Sequence, residues 1–399
     1  METEPAAVQT SEPPLVVDLD GTLIAVDTLA EAFLLLARKH PLALLQHGAE
    51  CEAAGDVSAA ATAYDRAFSL APSDEQIAST RKRLLDRLQV VEHGLTFRFI
   101  PAGHFPMGSE LGDSVAGAGV RTPDPDESPI HWVHLDAFWI SETPISWASY
   151  CRFRNWMPPP EGGPPESYPD VAVAAGNRVR LQYCEDYTLR AMDWHAHVAP
   201  DRVIEHFKKS GLPPRSEPDR AYGYSEKAMV AVTWDIASQV CALISTDTVT
   251  YRLPTEAEWE KSARGGLAGS RYAWGDEDPN RDRCDFDRFE ELSILPMRRF
   301  PPNGYGLYAM CGGVWEWVND WYDGEYYQIS PDRNPKGPSE GEQRVLRGGS
   351  WTDTAATVTA SFRMSHPEGF WTSVNKAHQA YPAANIGFRI CRVARVPGT

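Results

Sequence analysis

Thirteen tryptophans constrain this 399-residue chain more than any other feature, because all of them lie beyond Phe97. An indole ring is large, flat and stiff, and needs broad complementary surface around it. From Leu95 onward the chain runs in short stretches broken by Gly and Pro, such as LTFRFIPAGHFPMGS and HWVHLDAFWISETPISWASYCRF. Apolar and polar residues alternate there at the strand period. Bulky rings on short strands predict an irregular, loop-rich α+β domain, not a helical bundle.

Ahead of that domain the pattern is helical. GDVSAAATAYDRAFSLAPSD sets Gly55, Ala60, Tyr64, Ala67, Phe68, Leu70 and Pro72 at the spacing of the second helix of a tetratricopeptide-like hairpin. PLALLQHGAECEAA is its first helix and DEQIASTRKRLLDRLQ a following capping helix. One repeat cannot bury its own apolar face, so it either packs on a neighbour or offers a groove to a protein partner. Farther upstream, an LVV run followed by Asp18, Asp20, Gly21 and Thr22 resembles the first motif of haloacid-dehalogenase-like phosphatases, in which the first aspartate attacks a phosphoryl group. The next motif begins too soon for the rest of such a domain, so a truncated relic or a strand–turn–helix cap is expected. The anticipated division is 1–40, 41–92 and 93–399, the last with an insertion at about 155–228 that opens on MPPPEGGPPESYP.

A formal net charge of -17, with only isolated basic pairs at Lys208 and Arg298, argues against nucleic acid as a partner. The longest apolar run, Leu29 to Ala37, is too short to span a bilayer, and no basic-then-apolar leader opens the chain. Seven cysteines without repeated spacing do not read as a disulfide framework. These features together predict a cytoplasmic protein.

Several local signals are specific. Thr233 and Asp235 suit a helix start, and Thr255 with Glu258 forms a capping-box pattern. Gly348 and Gly349 permit close backbone approach, while Arg347 offers a planar fork for a carboxylate. Glu316, between Trp315 and Trp317, is placed to be buried and paired.

In chain order, FIPAGHFPMGS, HWVHLDAFWISETPISWASY, VAVTWDIASQVC, YRLPTEAEWEKSARGG, YAWGD, NGYGLYAMCGGVWEWVNDWYD, RVLRGGSW and GFRIC resemble the landmarks of the formylglycine-generating-enzyme family. That family also holds the partner domains of ergothioneine-type sulfoxide synthases and PvdO-like proteins. The resemblance implies a C-type-lectin-like α+β fold with little regular secondary structure. It also implies where chemistry would sit: the founding members bind copper(I) on two cysteine thiolates just after the GGSW-like segment. Here GGSWTDTAATVT puts Asp353 and Val358 near those positions, so copper is disfavoured. The family's GNVWEW pattern, associated with calcium, appears with Gly312 and Gly313 in place of an asparagine donor, which leaves calcium open but weakened.

Two functional readings follow. In the first, the domain binds a peptide or small molecule in a cleft reshaped between Thr352 and Ala384, contacted by Arg347, Ser350, Trp351, Asp353, Arg363, His366, Trp371 and His378. In the second, it is a metal-dependent oxidoreductase of specialised metabolism, PvdO-like or sulfoxide-synthase-like, with iron held by His195, His197 and His206 of the insertion.

Overall fold

The computed structural model describes residues 40–110, 124–154, 226–230, 232–288, 294–368 and 385–394, with the backbone of two further strands near the amino terminus. The chain divides into two compact units, Met1–Arg81 and Lys82–Thr399.

In the first unit, β1 (Leu15–Val17) and β2 (Leu23–Ala25) form an antiparallel hairpin with Leu15 opposite Ala25. The second strand begins on the last residue of the DLDGTL stretch; Asp18, Asp20 and the helical part expected after it lie outside the described residues. Helices α1 (Pro41–Ala53) and α2 (Val57–Leu70) pack side by side. Pro41 opens α1 where no backbone donor is needed, and the Asp56 carboxylate caps α2 by accepting from Ala59 N at 2.9 Å. The close approach depends on Gly48: a Cβ there would sit 2.4 Å from the Tyr64 ring. Leu44, Ala67 and Ile77 make the small core.

Helix α3 (Glu75–Arg87) runs from the first unit into the second. The second unit carries a five-stranded sheet, β3 (Gln89–Glu92), β4 (Leu95–Ile100), β7 (Phe138–Ser141), β13 (Cys391–Ala394) and β8 (Val249–Arg252), in that spatial order. A four-stranded sheet follows the order β11 (Arg363–His366), β10 (Arg344–Arg347), β9 (Trp315–Trp321) and β12 (Ile386–Phe388). A separate ribbon pairs β5 (Gly103–Met107) with β6 (His131–Leu135). Among the described residues the unit also holds α4 (Trp147–Phe153), α5 (Trp234–Ile244) and α6 (Glu256–Arg264). The helix-start signals act as expected. Thr233 Oγ1 accepts from Ile236 N, and Thr255 and Glu258 exchange the two bonds of a capping box.

Trp147, Trp259, Trp315, Trp317 and Trp351 are buried almost completely, and four of them join one core with Phe97, Phe388 and Ile390. Buried arginine–glutamate pairs lock the strands to α6. Arg363 grips Glu256 through two bonds of 2.7 and 3.0 Å, and Arg347 reaches Glu260 at 2.5 Å. Glu316 is fully buried, held by Arg389 at 2.6 and 2.8 Å and by the Trp259 indole at 2.8 Å. Among the described residues no helix is long and apolar enough to cross a membrane.

Candidate functional site

The segment after β10 is shaped by main chain. Gly348 and Gly349 adopt φ of 99° and 68°, and a Cβ on Gly349 would collide with the Thr357 carbonyl at 2.8 Å. Gly312 N donates to Gly348 O at 2.8 Å, and Trp351 N donates to Gly313 O at 2.9 Å, so two glycine pairs cross backbone to backbone. The 350–353 turn also accepts from a neighbouring loop: Asp287 N binds Asp353 O and Arg288 N binds Trp351 O, both at 2.8 Å.

Inside this turn, four polar side chains converge. Ser350 donates its hydroxyl to Asp353 Oδ2, and the Asn385 amide donates to Ser350 Oγ and Thr352 Oγ1, each at 3.0 Å. Burial raises the Asp353 carboxyl above the usual range, against hydrogen bonds from Ser350 and Trp315 that pull the other way. Val358, near the second family thiolate position, is completely buried aliphatic packing. A carboxyl in a hydroxyl–amide cluster and a buried methyl pair offer no soft donor, so these positions do not fit copper(I). Calcium fares little better: Asp285 already binds Arg288 Nη1 at 3.0 Å and Leu295 N at 3.1 Å, and the main chain crowds Gly312, where a Cβ would meet Asp285 O at 2.4 Å.

The residues anticipated to touch ligand therefore separate. Ser350, Trp351 and Asp353 share the turn. Arg347 and Arg363 are buried and spend their guanidinium groups on Glu256, Glu260 and main-chain carbonyls, so both serve the framework. His366 stands at the end of β11, its Nδ1 2.9 Å from Pro367 O and its ring edge-on to Trp317. Trp371 and His378, and the histidines 195, 197 and 206 expected to bind iron, lie outside the described residues.

Sequence reasoning missed a cavity of about 300 Å³ beside the turn. Pro144, Ile294, Leu295, Pro296, Met297 and Phe300 are among its walls, and Trp274 stacks on Tyr272 at its margin with centroids 5.0 Å apart. The Gly312–Gly313 main chain belongs both to this wall and to the crossing beneath Ser350. Cys284 and Cys311, far apart in sequence, face the same cavity as free thiols. Burial pushes the Cys311 thiol up to about 12 and lifts Cys284 strongly too, so both are protonated at neutral pH. No sequence spacing signals this, because the lining comes from loops spread between Pro144 and Val314.

Another cluster, Asp124, Asp126 and Glu127, brings three carboxylates together in the turn before β6. Glu127 Oε1 takes Asp124 N at 3.0 Å and Asp126 Oδ2 takes the Tyr322 hydroxyl at 2.8 Å, while Asp126 Oδ1 is buried without a hydrogen bond.

A family model described as a Sulfatase-modifying factor enzyme 1-like domain matches residues 91–394. Among curated relatives, a formylglycine-generating enzyme of Streptomyces coelicolor is 33% identical over 267 residues, covering 63% of this chain and 77% of the relative. A serine/threonine-protein kinase, pkn1, of Chlamydia pneumoniae is 39% identical over 263 residues, covering 65% of this chain but 35% of the kinase. A mouse (Mus musculus) protein named inactive C-alpha-formylglycine-generating enzyme 2 is 41% identical over 143 residues, covering 33% of this chain and 39% of the relative.

Proposed function

This chain belongs to the sulfatase-modifying factor family across residues 91–394, and on that premise we propose that it is a binding domain that takes an apolar side chain or small molecule without thiolate–copper chemistry. The observation that carries the reading is the cavity of about 300 Å³ with its largely apolar walls. That volume stands at the lower end for ligand sites, with room for one side chain or a single ring system. The Ser350–Asp353 turn beside it is hydrogen-bonded and hard in its donors, and the two cavity thiols are held protonated. Two relatives support the same direction. One is named inactive, and in the kinase the matched region occupies only 35% of the chain, as an attached module would.

The test uses Trp274 on the cavity wall as its reporter. N-acetylated leucine and phenylalanine amides are titrated while tryptophan fluorescence is followed, alongside Leu295→Arg, which sets a charge at the rim. Saturable quenching that weakens at least ~10-fold in L295R is the expected result, since a buried unpaired charge is strongly disfavoured. Copper(I) competition with a chelator is run in parallel. If the wild-type chain retained one copper, lost it in C284S/C311S and consumed oxygen when loaded, the oxidoreductase reading would replace this one.

A further inference from the structure

We propose that His104 and His134 form a zinc site on the exposed face of the β5–β6 ribbon. The two histidines are directly opposed in the antiparallel register, and their Nδ1 atoms share a long hydrogen bond of 3.5 Å whose proton a metal would replace, with ring centroids 4.5 Å apart. Two Zn–N bonds of about 2.0–2.1 Å at a tetrahedral angle place the nitrogens roughly 3.3–3.4 Å apart. A right-angled, square-planar ion with similar bonds requires about 2.9 Å, so the spacing favours zinc over copper(II).

The backbone holds the pair in place. His134 N donates to Asp332 O at 2.6 Å, and Asn334 N donates to His134 O at 2.9 Å, pinning β6 on the side away from β5. Asp136 Oδ1 lies 3.8 Å from His134 Nε2, beyond hydrogen-bond reach, and Arg333 and Asn334 hold that carboxylate at 2.7 and 2.8 Å, so it supplies a nearby negative charge. Among the described residues no third histidine, cysteine or carboxylate meets both rings. The ion therefore keeps two positions for water or for a donor atom of a bound molecule.

Zinc binding to the full chain is measured by competition with a chromophoric chelator, with cobalt(II) absorption as a reporter of tetrahedral geometry. One zinc per chain is expected. His104→Ala and His134→Ala each weaken it by at least ~10- to 100-fold, and Asp136→Asn, which removes only a nearby charge, weakens it by less than either. His104 and Asp136 are exposed and His134 is partly so, and circular dichroism confirms that the variants fold. A triple alanine variant at His195, His197 and His206 leaves this zinc in place. Absence of stoichiometric zinc in the wild-type chain overturns the proposal, as does zinc that survives H104A but leaves with the triple variant.

Discussion

Arg389 is a residue whose loss the second unit is expected to tolerate poorly. Its guanidinium is completely buried and makes four bonds: two to Glu316 at 2.6 and 2.8 Å, one to Ser141 O at 3.1 Å and one to Tyr308 O at 2.9 Å. Arg389→Met keeps most of the stem but leaves the fully buried Glu316 carboxylate with the Trp259 indole as its remaining side-chain donor. Breaking one side of a buried ion pair costs about 3–5 kcal/mol, because the partner's charge is left uncompensated. Each orphaned carbonyl adds of order 1 kcal/mol. Much of that cost resides in the stranded charge, so Glu316→Gln introduced together with R389M returns part of the loss. The double variant is expected to be more stable than R389M alone. Urea unfolding of the full chain at pH 7, followed by tryptophan fluorescence, gives all three values. An R389M loss below about 1 kcal/mol, or a double variant less stable than R389M, refutes the argument that Glu316 is held as a charge.

Other perturbations test separate parts of the structure. Gly48→Ala gains about 1 kcal/mol of helix propensity, yet drives a methyl into the Tyr64 ring, so a net loss of about 1–3 kcal/mol is expected in thermal unfolding; a gain refutes the close-approach reading. The Asp320 carboxyl is fully buried, and burial followed by the Glu256 charge raises its pKa well above 3.8. A native pKa above the unfolded one gives stability that is complete below about pH 3.8 and declines as pH rises through the native value. Asp320→Asn therefore gains on wild type toward neutral pH and loses that advantage in acid, a trend that denaturation at several pH values reads directly; an advantage independent of pH refutes it. Asp353→Cys with Val358→Cys restores soft donors to the turn and is expected to capture one copper(I) in chelator competition. A copper-free double variant shows that more than the missing thiolates separates this turn from a metal site.

Much of the frame was legible because its signals are local. The capping box at Thr255 and Glu258, the start at Thr233 and the glycines of RVLRGGSW each act within a few residues, and each takes the form expected. Glu316 was also legible, since alternation along β9 turns it away from its flanking indoles. The site was harder to read because its parts meet only through tertiary register. Cys284 and Cys311 look like scattered small hydrophobes until the loops close around one cavity. His104 and His134 become neighbours only when two strands pair. Arg347 has the chemistry of a ligand clamp, but the glutamates of α6 reach it first, and nothing near it in sequence says so.

The crossing of Gly312–Gly313 with Gly348–Trp351 has a consequence for how such a domain changes over generations. Amides and carbonyls hold that junction, so it depends on its glycines and on the main chain and not on the side chains that follow Trp351. Substitutions at Thr352, Thr354 or Ala355 therefore alter the chemistry displayed above the junction while the support beneath stays the same. A loop mounted this way can trade one specificity for another without the rest of the molecule having to be relearned.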